Sequence, residues 1–207
     1  MSSPTRSYHH GDLRAQLLAR AAELVARDGP EAFSLRAVAV ELGVSHTAPR
    51  HHFGDRRGVF TALATEGYEL LGEALETAAP LGFAEVGAAY VLFAVGHPGH
   101  FAVMHAPDLV HREDKALAAA AARTNRQLVQ GVADAAPGTR EQVAVKAAAA
   151  WAMVHGLATL ALSGALARDR LVGSGLGDLH SLVLGAASLL DLTRDPRDAY
   201  ADDAYRL

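Results

Sequence analysis

Several residue types are scarce in this chain of 207 residues, and each scarcity removes a class of protein. Cysteine is absent, which excludes disulfide bonds and thiolate metal sites and makes the fold indifferent to a reducing compartment. Aromatic residues make up only 6% of the sequence. Alanine and leucine are abundant and β-branched runs are few, which favours helices over sheets. We therefore predict an all-α protein.

The signatures of several functions are also missing. The amino-terminal residues include no apolar segment of the kind found in secretory signals, so we expect a cytoplasmic protein. The sequence has no glycine-rich phosphate loop, no nucleophile elbow and no Ser-His-Asp arrangement. We therefore expect a protein that is not an enzyme and uses no cofactor.

The most informative stretch lies between residues 33 and 53. Ser34 can cap a short helix with apolar residues at helical spacing, and Gly43 follows where helices commonly close with a left-handed residue. Ser45 can cap a second helix, which we predict over residues 45–52. Two short helices joined by a tight turn with glycine are typical of a helix-turn-helix, although an ordinary helical hairpin in a bundle has the same spacing.

The periodicity elsewhere predicts further helices, bounded by Gly and Pro residues. Thr139 and Gln142 form a capping-box pattern at the start of one of them. The predicted helices cover residues 11–27, 56–77, 83–96, a short stretch that ends near residue 104, 110–134, a stretch that begins after residue 139, and 178–192.

Motifs on both sides of the short helix pair resemble those of a known family. Tyr8-His-His-Gly-Asp-Leu13 precedes the pair, and His51-His-Phe-Gly-Asp-Arg56 completes it. In this order, over about residues 8–65, they resemble the DNA-binding domain of the TetR family of transcriptional regulators. Further on, Trp151-Ala-Met-Val-His-Gly156 resembles a TetR subgroup with a Trp…His-Gly motif in its C-terminal domain.

The resemblance implies two functional domains along the chain. Residues 1–58 would form a three-helix DNA-binding domain with the helix-turn-helix, and residues 59–207 a larger helical domain for effector binding and dimerisation. The implied protein is a homodimer that reads a near-palindromic operator in double-stranded DNA, most often as a repressor. A small-molecule effector would release it.

The charge distribution agrees with this division. The net charge is −4, which argues against general affinity for nucleic acid. Residues 1–60 nevertheless hold eight arginines against six acidic residues, and five of the eleven histidines, whereas the remainder is acidic. Residues 1–60, which we call the head, are therefore basic on an otherwise acidic protein, and this charge difference orients the head towards phosphates.

Candidate DNA contacts divide by the chemistry of their side chains. Arginine can bind guanine through two hydrogen bonds, and threonine offers a hydroxyl and a methyl group to thymine. The predicted base-reading residues are Arg36, His46, Thr47 and His51. The predicted phosphate-binding residues are Ser34, Ser45, Arg50, His52, Arg56 and Arg57.

Two residues of the second short helix depart from the family pattern. Arg50 occupies a position where the family usually has a phosphate-binding tyrosine. Pro49 lies in the first turn, where a proline tightens a helix instead of breaking it.

Aromatic, soft and polar residues of the C-terminal half could line a ligand cavity between helices, although several would serve equally well as core residues. His155 lies in an uncharged stretch, so we expect it to hydrogen-bond a polar partner and not to bind a metal. The predicted ligand-binding residues are Tyr90, Phe93, Phe101, Met104, His105, Trp151 and His155.

Residues 147–167 carry no formal charge and are long enough to be tested as a membrane span. We favour burial within protein, because a helix that is apolar all round is equally typical of a protein interior. Small residues along it, Ala148, Ala152, Gly156 and Gly164, would allow another helix to approach closely. Paired with the last helix, this stretch predicts a four-helix dimer interface and no membrane association.

One competing function belongs to a different class. Histidines and an aspartate cluster within fifteen residues, and imidazole with carboxylate can bind zinc, as in a helical metal-dependent hydrolase. Their spacing is irregular and includes no His-Glu-x-x-His motif, so we expect no metal site. The residues concerned are His97, His100, His105, Asp108 and His111.

Overall fold

The computed structural model describes residues 10–167, 171 and 177–190, with the side chains of residues 10–12 left out. Within this part the chain forms helices and no strand, which confirms the all-α prediction. Residues 8 and 9 of the first family motif lie outside the described residues. The helices are α1 (His10–Ala32), α2 (Leu35–Glu41), α3 (Ala48–Phe53), α4 (Arg56–Ala78), α5 (Phe83–Gly96), α6 (Pro98–Met104), α7 (Lys115–Ala135), α8 (Arg140–Leu162) and α9 (Leu179–Leu189), with a short 3₁₀ turn at Ala79–Leu81.

The helices form two compact units. The first contains the described part of Met1–Glu69 together with His97–Ala120, and the second contains Leu70–Gly96 and the described residues from Ala121 onwards. Helices α4 and α7 each begin in the first unit and end in the second. The predicted functional boundary after residue 58 is a different division and stays a prediction.

The first unit has a core of aliphatic side chains from α1, α2, α4 and α6. The ring of Phe33, just before α2, packs on that of Phe60 of α4, with the centroids 5.0 Å apart. Gly29 has φ 81°, so the regular part of α1 ends there, one residue before Pro30. This break agrees with the predicted helix end near residue 27. Buried members of the core include Leu17, Leu24, Val38, Ala39, Val59, Leu63 and Val103.

Helix α6 packs directly on α1 and α4. Gly99 is so close to α1 that a β carbon at this position would lie 2.1 Å from the Ala22 carbonyl oxygen. On α4, the Tyr68 hydroxyl donates to the Met104 carbonyl (3.1 Å), and Glu66 accepts from His100 (2.9 Å). Helix α6 is therefore an integral part of the unit that contains the two short helices.

The segment between α6 and α7 is a loop where the sequence predicted a helix from residue 110. The Val110 carbonyl accepts from the Arg57 guanidinium (2.6 Å), and the His111 amide donates to Thr61 Oγ1 (2.9 Å). These backbone groups of the loop therefore bond to side chains of α4, where in a helix they would bond to other backbone groups. Asp114 accepts from the Leu117 amide (2.9 Å) and caps α7, which begins at residue 115.

The second unit is built around α5, which packs on both α8 and α9. Gly87 of α5 would place a β carbon 3.2 Å from Val154 and 3.9 Å from Val183. A second cluster joins α7 to α8 through Val132, Val143, Ala147 and Ala150, with Phe83, Leu128 and Leu190 against it.

Local capping residues fix two helix starts of this unit as the sequence predicted. The Thr139 hydroxyl accepts from the Gln142 amide (3.3 Å), and the Gln142 side chain accepts from the Thr139 amide (2.8 Å). This reciprocal pair confirms the predicted capping box of α8. Asp178 accepts from the Ser181 amide (2.8 Å) and caps α9. Residues 191 and 192 of the predicted last helix lie outside the described residues.

Helix α8 is long and apolar enough to cross a membrane, but only a third of its most apolar window is buried within the chain. Its exposed side carries small residues between larger apolar ones, and a β carbon placed on Gly156 would have no atom within 4 Å. We call this side the α8 face: Val145, Ala148, Trp151, Ala152, Gly156 and Leu160. On α9, Leu189 is 86% exposed.

Candidate nucleic-acid interface

The turn between α2 and α3 has a defined backbone geometry. Gly43 has φ 64°, its amide donates to the Val40 carbonyl (3.1 Å), and the Val44 amide donates to the Ala39 carbonyl (3.0 Å). This hydrogen-bond pair is the Schellman closure, which requires a left-handed residue at this position. The prediction for Gly43 is confirmed. At the other end of α2, the Ala37 amide donates to Ser34 Oγ (3.4 Å), which confirms the predicted cap.

Helix α3 begins at residue 48, so the predicted start at Ser45 is wrong by three residues. Ser45 Oγ instead accepts from the Thr47 amide (3.3 Å) and bonds to Thr47 Oγ1 (2.8 Å), which holds residues 45–47 in a turn. Such local hydroxyl bonds compete with helix formation. Pro49 lies in the first turn of α3, where a proline does not break the helix, as predicted, and its ring is fully buried.

Most of the predicted DNA contacts lie on the surface of the first unit. Ser34 and Arg36 are exposed at the start of α2. The turn and α3 bring six others together, of which only His52 is half-buried. We call this set the reading surface: Ser45, His46, Thr47, Arg50, His51 and His52. Their assignment to bases or phosphates stays a prediction.

The last two predicted phosphate contacts are engaged within the fold. Arg56 donates to the Pro30 carbonyl, lies over the Phe60 ring (5.2 Å) and comes within 3.7 Å of Glu31. Its Nε is buried without a hydrogen-bond partner among the described residues. Arg57 donates to the loop carbonyl of Val110. These contacts fix the start of α4, so any phosphate would have to compete with them.

The start of α4 lies directly after α3. Gly54, with φ 77°, ends α3, and the Asp55 carboxylate accepts from the Gly58 amide (2.8 Å). This hydrogen bond, assisted by His111 at 3.5 Å, lowers the pKa of Asp55 below its ordinary value. A β carbon on Gly58 would lie 1.8 Å from the Phe53 carbonyl oxygen. Gly58 therefore allows the end of α3 to contact the first turn of α4.

The histidines considered for a metal site have different partners. His100 pairs with Glu66, and His111 lies near Asp55 and Glu113. His105 packs on the Phe101 ring, with centroids 4.7 Å apart. Asp108 pairs with Arg112 at 2.7 Å. The pKa of His97 is lowered by its burial and by His100, with Glu66 opposing. Within the described residues no group of three such side chains could hold a metal ion.

The predicted ligand-binding residues fall into two groups, one in each unit. In the second unit the Tyr90 hydroxyl lies 3.0 Å from His155 Nδ1, and the imidazole lies 5.3 Å from the Trp151 ring. Burial lowers the pKa of His155, which favours the neutral ring. Tyr90 and Phe93 are buried, whereas Trp151 is 43% exposed on the α8 face. In the first unit Phe101 and Met104 are buried and His105 is half-buried.

A recess in the second unit was not foreseen from the sequence. Its volume is about 970 Å³, and it lies among the end of α4, the 3₁₀ turn, the start of α5 and the middle of α7. None of the predicted ligand-binding residues lines it. No sequence motif marks the residues of its wall. They combine apolar and polar or charged side chains and include Leu75, Phe83, Val129, Arg123, Arg126 and Gln130.

Two family models match the chain. Residues 17–63 match the model described as bacterial regulatory proteins, tetR family, which includes the helix pair described above. Residues 83–174 match the model described as tetracyclin repressor-like, C-terminal domain. No curated protein sequence matches the chain significantly.

Solved structures resemble the chain over most of its length. A protein of unknown function from Rhodococcus sp. RHA1 is 35% identical, with 89% of this chain and 95% of that one covered and a TM-score of 0.69. The TetR family transcriptional regulator PfmR from Thermus thermophilus is 19% identical, with 84% and 96% covered and a TM-score of 0.64. The multidrug binding protein EbrR, complexed with imidazole, is 16% identical, with 91% and 96% covered and a TM-score of 0.52.

The capped helix pair with its left-handed glycine, the all-helical fold and both family models lead to one assignment. The chain is a member of the TetR family of bacterial transcriptional regulators, with a DNA-binding helix-turn-helix formed by α2 and α3.

Proposed function

We propose that this chain is a homodimeric, cytoplasmic repressor that binds a near-palindromic operator and is released from it by a small-molecule effector. The DNA-binding regulator is the family's function; the dimer, the sense of regulation and the effector are the proposed parts. The observation that carries the proposal is the exposed α8 face.

The α8 face needs a covering surface. Trp151 is 43% exposed and Leu160 46%, and the face residues between them, Ala152 and Gly156, are small. Soluble monomers seldom expose a contiguous apolar area of this kind. A second copy is the natural cover, because a two-fold axis makes one surface complementary to itself. Lys146 of α8, which is buried within the chain, is a charge that a membrane span would have to accommodate.

Dimerisation also explains how so short a helix selects DNA. Helix α3 has six residues and reaches few bases. Two copies related by a two-fold axis read half-sites separated by roughly 34–36 Å or a multiple of it. The reading surface then binds each half-site, with Arg36 added from α2.

An effector acts by favouring one arrangement of the dimer over another. The recess of about 970 Å³ and the partly buried Tyr90–His155 pair are the two candidate places for it in the second unit. EbrR, a structural relative, is described as a multidrug binding protein and was crystallised with imidazole. This likeness supports a small molecule as the effector class.

Binding selection from a pool of random duplexes tests the function directly. We expect the full chain to recover an inverted repeat, and sedimentation to give a dimer. A monomer that binds no duplex would contradict the proposal. Recovery of the protein in the membrane fraction after lysis would favour a membrane role for α8.

Replacing Gly156 by leucine tests the interface. Gly156 has open space around it in the single chain, so the larger residue should not disturb the fold. At a close helix contact the added bulk should cost roughly 1–3 kcal/mol, a factor of about 5–150 in the dimer dissociation constant. Sedimentation equilibrium measures the change.

Gly96→Leu is the matched control, because Gly96 also has open space but ends α5. It should leave dimerisation unchanged. An intact dimer of normal affinity in the Gly156→Leu variant would reject the α8 face as the interface.

Variants of the reading surface test base recognition. We expect Arg36→Ala and Thr47→Ala to relax the preferred base at defined operator positions, each by roughly 1–3 kcal/mol. Thr47→Ser keeps the hydroxyl that bonds to Ser45 and removes only the methyl group, which separates base contact from turn geometry. Binding selection with each variant is the measurement.

Arg140→Ala is the control, since Arg140 is exposed at the start of α8 in the second unit. Its recovered motif should equal that of the unchanged protein. If the Arg36 and Thr47 variants also return the original motif, these residues do not read bases.

A further inference from the structure

Three histidines belong to the reading surface. His46 and His51 are exposed and His52 is half-buried, with the rings of His51 and His52 5.4 Å apart. The chain has only two lysines, Lys115 and Lys146, and neither is near these residues in sequence. The positive charge of the head therefore comes from arginine and histidine alone.

Acidic groups on the neighbouring elements have other partners. On α2, Glu41 is paired with Arg20 and Arg27 of α1. After α3, Asp55 accepts from the Gly58 amide and lies near His111.

Among the side chains that the structure describes, the other charged groups named around α3 are basic. Arg14 of α1 lies 5.0 Å from the centroid of the Phe53 ring, which is next to that of His52. Arg36 of α2 and Arg50 of α3 are exposed. Among the described residues no carboxylate lies within 4.0 Å of any of the three imidazoles.

Imidazole is the side chain whose ordinary pKa, about 6.5, makes its charge change between pH 5 and 8. The neutral ring offers one donor and one acceptor, whereas the protonated ring offers two donors and a positive charge. A DNA duplex carries one negative charge per roughly 1.7 Å of its axis. A neighbouring negative charge favours the protonated ring, so DNA favours proton uptake by any neutral imidazole placed against it.

We propose that operator binding is coupled to proton uptake by His46, His51 and His52, so that affinity falls as pH rises from 6 to 8. The proposal rests on the proposed DNA-binding role of the reading surface. A dimer presents six such imidazoles, three from each subunit. By linkage, the fall in the logarithm of the association constant per pH unit equals the number of protons taken up on binding.

The test measures the dissociation constant of the full chain at pH 6, 7 and 8 and constant ionic strength. The probe is the duplex recovered by selection from a random pool at pH 6.5. We expect binding to weaken by roughly tenfold or more between pH 6 and pH 8, since each proton contributes up to tenfold per pH unit. Circular dichroism at each pH establishes that the helix content is constant.

The variant H46Q/H51Q identifies the groups responsible. Both side chains are exposed, and glutamine keeps hydrogen-bonding capacity without titrating. Four of the six imidazoles are removed, so the slope should fall to about a third of its original value. His180→Gln is the control: His180 lies on α9, where it pairs with Glu85 (2.8 Å), and its loss should leave the slope unchanged.

The possible results distinguish this inference from the function on which it rests. Affinity independent of pH, or the same slope in H46Q/H51Q as in the unchanged protein, overturns proton coupling and leaves operator binding intact. Binding to no duplex at any pH overturns both. A slope that falls in H46Q/H51Q and persists in His180→Gln supports the assignment.

Discussion

Gly99→Ala is expected to lower the free energy of unfolding by about 3 kcal/mol or more, at the upper end of overpacking effects. The added β carbon would lie 2.1 Å from the Ala22 carbonyl oxygen, far inside van der Waals contact. Because the obstacle is backbone and not the end of a flexible side chain, α6 must move away from α1. Thermal unfolding should show a fall of about 6–12 °C in Tm.

Gly96→Ala provides the matched control three residues earlier. A β carbon there meets no atom within 4 Å. The change should therefore leave Tm within a few degrees of the original value. Equal Tm values for the two variants would show that α6 does not pack against α1 at Gly99.

Gly58→Ala should weaken specific DNA binding by about 100-fold or more while most of the helix content remains. The new β carbon would lie 1.8 Å from the Phe53 carbonyl oxygen at the end of α3. Relief of this overlap shifts α3 relative to the start of α4 and so moves the reading surface. Loss of even two base contacts, at roughly 1–3 kcal/mol each, weakens operator binding by about 100-fold. Binding is measured on the selected duplex.

Gly72→Ala lies on the same helix and serves as the comparison. Its β carbon would be 3.7 Å from Gln127 Oε1, an ordinary contact. Alanine should stabilise α4 by roughly 0.5–1 kcal/mol and leave DNA binding unaltered. If Gly58→Ala binds the operator as tightly as Gly72→Ala does, the contact between α3 and α4 does not position the reading surface.

Features set by neighbouring residues were predictable from the sequence. Ser34, Gly43 and the Thr139–Gln142 pair act through hydrogen bonds that span three to five residues, so their roles follow from spacing alone. Val59, Phe60 and Leu63 likewise recur at helical spacing in the sequence, and all three are buried on α4. This local chemistry was sufficient for the helix-turn-helix and the fold class.

Features that depend on distant parts of the chain were not predictable. The Arg57 guanidinium donates to the carbonyl of residue 110, 53 positions away, and no local pattern predicts this contact. The same contact explains why residues 110–114 form a loop, since α4 engages their backbone groups. The role of Arg57 as a phosphate contact stays a prediction. The start of α3 was missed because serine and threonine are typical of helix caps and of local turns alike. Here the hydroxyls of Ser45 and Thr47 bond to each other in a turn.

The position of Trp151 has a practical consequence. It is the one tryptophan of the chain, and its indole lies half in water on a surface that a second subunit would cover. Indole emission depends on the polarity around the ring, so the natural protein carries its own optical reporter of self-association. Dilution series read by fluorescence could follow subunit exchange without any attached label.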